Sequence, residues 1–188
     1  MKRRPDLKDV KLLIWPLTTT VGVVIADQVT KLWAVANLSE RTPEPVLGTF
    51  LMFSLVYNEG GAMGTRLGPS GYYLVMALLV LPLVFYYIYR NRRAPTVALA
   101  LSLIAGGAIG NLIDRIRLGR VVDFIDVDFI DISLGHFHLD RWWTFNIADA
   151  AISCAIVFLV VHLFLNRRSL DPSEPNTSGA EPNTPSSL

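Results

Sequence analysis

Tyr72-Tyr-Leu-Val-Met-Ala-Leu-Leu-Val-Leu-Pro-Leu-Val-Phe-Tyr-Tyr-Ile-Tyr89 carries no charged side chain, and Arg90-Asn-Arg-Arg93 closes it. At about 1.5 Å per helical residue such a run nearly matches a hydrocarbon layer about 30 Å thick. Tyrosines cluster at both of its ends, where ring and hydroxyl suit the two membrane–water interfaces. Pro82 predicts a kink. The arginines mark the cytoplasmic side. Composition agrees with a membrane protein. Of 188 residues, 52% are hydrophobic and 18% charged, fewer charges than a soluble surface needs. A net charge of +1, without a basic face interleaved with aromatics, argues against nucleic acid as partner.

Working outward, three more apolar spans follow the same logic. The first runs from Leu12 to about Ala36 behind a basic terminus with Lys2, Arg3, Arg4, Lys8 and Lys11. It is too long for a signal peptide, and no small-x-small cleavage site ends it. The third runs from about Thr96 to Ile113, with Ser102, Gly106 and Gly110 spaced by four as a small face for close helix contact. The fourth starts near Asn146 and reaches about Leu165, before Arg167 and Arg168. All basic clusters then fall on one side. Residues 1–11 form a cytoplasmic basic terminus and 12–166 the membrane domain. Residues 167–188, rich in Pro, Ser, Asn, Glu and Thr, form a disordered cytoplasmic tail.

This topology leaves two outer segments, 37–70 and 115–145. The first holds a strand-like Thr49–Tyr57 and the turn Asn58-Glu-Gly-Gly-Ala-Met-Gly64, whose Gly60, Gly61 and Gly64 permit close backbone approach. A small sheet on the outer surface is expected. Asp27, Asn58, Asn111, Asp114, Asp123, Asn146 and Asp149 all come near the outer interface, a depth at which polar side chains usually serve function. Plainer roles exist for each. Asp27 and Lys31, spaced i, i+4, suit a structural ion pair snorkelling to the interface as well as a site-lining pair. Asn146 suits the N-cap of the fourth helix, with Asp149 in its first turn. Asp114 and Arg115 suit snorkelling and capping, and Asp126, Asp128 and Asp131 suit a solvated loop. His136 and His138 lack further ligands at metal-site spacing. His162 and the single Cys154 sit in apolar sequence and read as packing residues.

A nucleophilic mechanism has little support, since Cys154 lies deep in a span and no serine has a base on its face. A two-carboxylate mechanism has its parts. One acid must be ionised to take a proton from water, the other protonated to donate to the scissile carbonyl. Close carboxylates in a poorly hydrated site share one proton because both cannot ionise cheaply.

The motifs Ala26-Asp-Gln-Val-Thr-Lys31, Tyr57-Asn-Glu-Gly-Gly-Ala-Met-Gly64, Gly106-Gly-Ala-Ile-Gly-Asn-Leu-Ile-Asp-Arg115, Gly119-Arg-Val-Val-Asp-Phe124 and Phe145-Asn-Ile-Ala-Asp149 occur in that order. Through them, residues 12–166 closely resemble the lipoprotein signal peptidases (signal peptidase II), the membrane aspartyl peptidases of bacteria. The resemblance implies a catalytic dyad of Asp123 and Asp149. It matches Asp27, Lys31, Asn58, Asn111, Asp114, Arg115 and Asn146 to the family's supporting polar residues, with Gly61 beside them in the glycine turn. It implies a prolipoprotein substrate whose lipobox cysteine carries diacylglycerol, cleaved just before that cysteine, with no metal or organic cofactor. The expected fold is an all-α membrane protein of four transmembrane helices with a small extracytoplasmic β-cradle. It would sit as a monomer in the bacterial cytoplasmic (inner) membrane among its lipids, with cytoplasmic termini and its active site at the outer face. The chain departs from the family pattern in its acidic stretch after Asp123 and in Trp142-Trp-Thr144, which stands where a proline is common. Two other readings fit parts of the sequence: a proton-coupled transporter relaying through Asp27, Lys31 and Asp149, and a non-enzymatic subunit packing through Gly106 and Gly110.

Overall fold

The computed structural model describes residues 11–60, 68, 70–128, 132–134, 137–139 and 143–166. Gly61, Gly64, Asp131, His136, Trp142, the basic residues before Lys11, Arg167, Arg168 and the tail lie outside the described residues. Four long helices dominate: α1 (Ile14–Asn37), α2 (Ser70–Arg90), α3 (Pro95–Leu118) and α4 (Ile147–Leu165). Helices α2, α3 and α4 are long and apolar enough to cross a membrane. Helix α1 has 24 residues but carries Asp27, Gln28, Thr30 and Lys31 within its C-terminal half, and is not among them.

Helix α3 is the hub, packing against α1, α2 and α4. Its sequence explains why. Pro95 pre-sets its first turn, and Ala98, Ala100, Ser102, Ala105, Gly106, Gly107 and Gly110 are buried along its length. Small side chains let neighbouring backbones approach. A Cβ on Gly106 would stand 2.9 Å from the Thr20 carbonyl of α1, while one on Gly107 would strike the Ala148 carbonyl of α4. Thr20 Oγ1 donates to the Ser102 carbonyl at 3.2 Å across the α1–α3 seam. On its third side, Leu112 and Ala105 pack with Leu81, Val84 and Ile88 of α2, which continues through Pro82.

The sequence places the end of the third span near Ile113, but α3 runs on to Leu118. It stops at Gly119, whose φ of 71° puts it in the left-handed region and whose N–H returns to the Arg115 carbonyl. Residues 115–118, which the sequence reading assigns to the second outer segment, are therefore helical.

Beyond the helices, β1 (Glu44–Leu47), β2 (Leu51–Asn58) and β3 (Val121–Val127) form an antiparallel sheet in that order, and β4 (Ile132–Leu134) pairs with β5 (Phe137–Leu139). The sheet joins the two outer segments. Val121, Val122 and Asp123 pair with Asn58, Tyr57 and Val56, so Asn58 and Asp123 arrive at the same end. Leu55, Val122 and Phe124 pack on Ala34 of α1 and on Leu38 just after it, and Trp33 meets Phe53 edge-on at 5.2 Å between ring centroids. Strand alternation also corrects the reading of Asp126 as a solvated loop residue. It shares the inner face of Val122 and Phe124 and is buried.

Candidate active site

Four elements deliver polar side chains to one place. The outer part of α3 presents Asn111, Asp114 and Arg115, neighbours at i, i+3 and i+4. Asn146 caps α4 by accepting from the Asp149 N–H at 3.0 Å, which fixes Asp149 in the first turn. Strand β3 brings Asp123, and the end of β2 brings Asn58. The isolated pairing of Ile125 with Phe145 ties β3 to the segment entering α4, with the Phe145 N–H donating to the Ile125 carbonyl at 2.9 Å.

Amides interlock the two carboxylates. Asn146 Nδ2 donates to Asp123 Oδ1 at 2.7 Å, and Asn58 Nδ2 to Asp123 Oδ2 at 3.1 Å. Asn111 Nδ2 donates to Asp149 Oδ1 at 2.8 Å. Asn146 Nδ2 also reaches Asn111 Oδ1 at 3.1 Å. Asn146 thus caps α4 through its oxygen and bonds Asp123 through its nitrogen. Asp123 is 2% exposed. Its pKa is pushed up to about 7, first by burial and next by the charge of Asp149, against the hydrogen bonds from Asn58 and Asn146 and the charge of Lys31.

Behind this layer lies a buried charge cluster. Lys31 Nζ contacts Asp27 Oδ2 and Asp114 Oδ2, each at 2.8 Å, and donates to Asn111 Oδ1 at 2.9 Å. Asp27 Oδ1 accepts from the Ala148 N–H at 3.0 Å, and Asp114 Oδ2 from the Val122 N–H at 3.1 Å. Asp27 and Lys31 are 0% and 2% exposed, so they do not snorkel, because α3 and α4 supply their partners inside the protein. Nor do they line the cavity described below. Asp114 is likewise buried and does not snorkel or cap. Gln28, quoted with its motif but not singled out as a site residue, donates through Nε2 to the Gly110 carbonyl at 3.1 Å and Asp114 Oδ1 at 3.0 Å. Its signal was its place beside Asp27.

Arg115 donates to the Gly60 carbonyl at 2.9 Å and the Asn111 carbonyl at 3.3 Å, and its guanidinium stands 5.5 Å from the Tyr73 ring centroid. Its bonds make it a clamp on the backbone just after Asn58 and not a direct partner of either carboxylate. Among the described residues its Nε has no partner.

A cavity of about 610 Å³ opens onto this centre. Asn58, Asn111, Arg115, Asp123 and Asp149 form its polar part. Its wall continues over Ala77, Ala108, Ile152 and Ile156, beside Trp143 and Phe145. Cys154 is exposed on that wall and is not a packed core residue. No group of three His, Cys, Asp or Glu side chains is gathered as a metal site among the described residues. The arrangement can hold an extended chain with an apolar appendage. Two carboxylates, one held close to neutrality in its titration, face the polar end.

Residues 19–165 match a family model described as signal peptidase (SPase) II. The lipoprotein signal peptidase of Syntrophomonas wolfei is 37% identical over 145 residues, 77% of this chain and 89% of that protein. That of Syntrophus aciditrophicus is 34% identical over 84% of this chain and 97% of its own. That of Pseudomonas aeruginosa is 35% identical over 88% and 96%. Among solved structures, a bacterial membrane enzyme determined by the in meso method at 2.3 Å resolution superposes with a TM-score of 0.72, at 28% identity over 86% of this chain and 94% of that one.

Proposed function

The chain belongs to the signal peptidase II family, and on that premise we propose that it removes signal peptides from prolipoproteins, with Asp123 and Asp149 as its catalytic pair. The substrate's lipobox cysteine carries diacylglycerol, and the bond cut is the one just before it. The observation that carries the reading is that one residue, Asn146, bonds Asp123 through its Nδ2 and the Asp149 backbone through its Oδ1, at the polar end of an apolar-walled cavity.

In this reading the peptide carbonyl lies between the two carboxylates and the acyl chains lie along the wall formed by Ala77, Ala108, Ile152 and Ile156. The pair holds one proton. The ionised member takes a proton from water, the resulting hydroxide adds to the carbonyl carbon, and the protonated member gives its proton to the carbonyl oxygen. Collapse of the tetrahedral diol breaks the C–N bond, and a proton passes from the pair to the leaving amine of the lipidated cysteine. No metal or cofactor takes part.

All four helices cross the bacterial cytoplasmic membrane in this proposal, α1 with its charges buried against α3. The basic clusters support cytoplasmic termini and a pair facing outward. Residues 12–166 are the peptidase, residues 1–11 and 167–188 lie in the cytoplasm, and the protein works as a monomer in lipid, without nucleic acid. Purified protein should cleave a diacylglyceryl-modified lipobox peptide in the presence of a chelator. Asp123→Asn and Asp149→Asn should each lower the rate by at least about 10²–10⁴-fold. Normal cleavage by either variant would overturn the pair.

A further inference from the structure

Lys31 lies outside the cavity, yet it is bonded to a residue that bonds the pair. Its ammonium has three N–H groups, and the three acceptors around it are Asp27 Oδ2, Asp114 Oδ2 and Asn111 Oδ1. We propose that Lys31 is a positioning residue of the peptidase reaction, its ammonium holding the Asn111 amide in the one orientation that donates to Asp149. This rests on Asp123 and Asp149 being the reacting groups.

The orientation follows from which atoms can accept. Asn111 Oδ1 receives both Lys31 Nζ at 2.9 Å and Asn146 Nδ2 at 3.1 Å. A flipped amide would turn its own N–H groups against those two donors and its oxygen against Asp149. An amide oxygen beside a carboxylate oxygen is tolerable only when the carboxyl carries a proton there. With Lys31 in place, Asp149 Oδ1 meets a donor, and a proton on Asp149 is confined to Oδ2. That keeps the proton on the oxygen left to meet substrate.

A compact ammonium suits this position. Three converging acceptors on two helices fit a point charge with three donors better than a planar guanidinium fork. The charged and titratable groups around it are Asp27 on α1, Asp114 and Arg115 on α3, Asp123 on β3 and Asp149 on α4, with Tyr73 of α2 on the cavity side of Arg115. Removing Lys31 alone would leave Asp27 and Asp114 uncompensated, mixing a charge effect with an orientation effect. The double variant Lys31→Met/Asp27→Asn removes one charge of each sign and isolates orientation.

The test is the pH–rate profile of the purified double variant on a diacylglyceryl lipobox peptide, with its thermal midpoint measured in parallel. The expected result is a folded protein whose kcat falls about 10- to 100-fold, as outer-layer partners of reacting groups typically do. KM should hold, and the profile should move upward by about one pH unit because the flipped amide favours the protonated carboxyl. A folded double variant with the wild-type profile and kcat overturns the proposal. If the double variant does not fold, Asn111→Leu carries the same test. It adds no charge and loses the donor to Asp149, and a wild-type profile there is equally fatal. Cleavage retained by Asp123→Asn or Asp149→Asn would instead overturn the assignment beneath it.

Discussion

Asp123 holds its proton more tightly in the folded protein than in an unfolded chain, where the ordinary value of 3.8 applies, against about 7 when folded. The native state therefore binds more protons between those values. This contribution to stability is complete below about pH 4 and is lost as pH rises toward 7. Thermal midpoints of the wild type and Asp123→Asn, measured from pH 4 to 8, should diverge in favour of the variant up to about pH 7 and then run parallel. Activity has a related limit. Once the shared proton leaves, neither carboxylate can act as acid, so the rate should fall on the alkaline side of about pH 7. At this scale the sequence was informative about which polar residues come together and poor about their bonds. Asn146 sits in a helix-start position that any reader of caps would mark. The partners of Arg115 are main-chain carbonyls, which every residue owns, and nothing in residue identity pointed to Gly60. By sequence Asp126 reads with Asp128 as solvated, and only the pairing of β3 with β2 shows which face it occupies.

Helix α3 owes its central place to glycine and alanine, and the seams can be tested one at a time. A Cβ on Gly110 would stand 2.5 Å from Asp27 Oδ2, whereas one on Gly22 meets nothing within 4 Å. Gly110→Ala should destabilise by about 1–3 kcal/mol and depress activity, by pushing α1 off the charge cluster. Gly22→Ala should stabilise by up to about 1 kcal/mol through helix propensity, with activity unchanged. Melting in detergent with a cleavage assay checks both. Asn146 separates cap from site. Asn146→Ser keeps a capping oxygen but loses the donor to Asp123, so it should melt near wild type and cleave poorly. Asn146→Ala should lose activity and about 1 kcal/mol as well. The four-residue spacing of Ser102, Gly106 and Gly110 announced a close seam, and the seam exists. Its partner was not legible, because a small face accepts any helix that topology brings to it. The added turn at the end of α3 was equally hidden, since Asp114 and Arg115 suit snorkelling and capping at a helix end as well as burial inside one.

Across the whole molecule, apolar length and flanking arginines were enough to locate three helices able to span a bilayer, because that signal is local. The sheet was half visible. Its strands come from segments on either side of α2 and α3, and pairing over that distance leaves no periodic trace in either. Helix α1 differs from the others in depending on residues made much later. Asp27 accepts from the Ala148 N–H, 121 positions further along, and Lys31 needs Asp114. In the proposed four-span topology, α1 alone leaves Asp27 and Lys31 only each other, and a pair in hydrocarbon without its further bonds to Asn111, Asp114 and Ala148 stays costly. During synthesis, then, the first helix to leave the ribosome is the last to be satisfied. A chain truncated after residue 60, before α2, should be extracted from membranes by alkaline carbonate, while the full chain resists. Replacing Asp27 and Lys31 together by leucine should make the truncated form resistant too. The buried charges thus impose an order on biogenesis, in which the opening helix waits at the membrane until its later partners arrive.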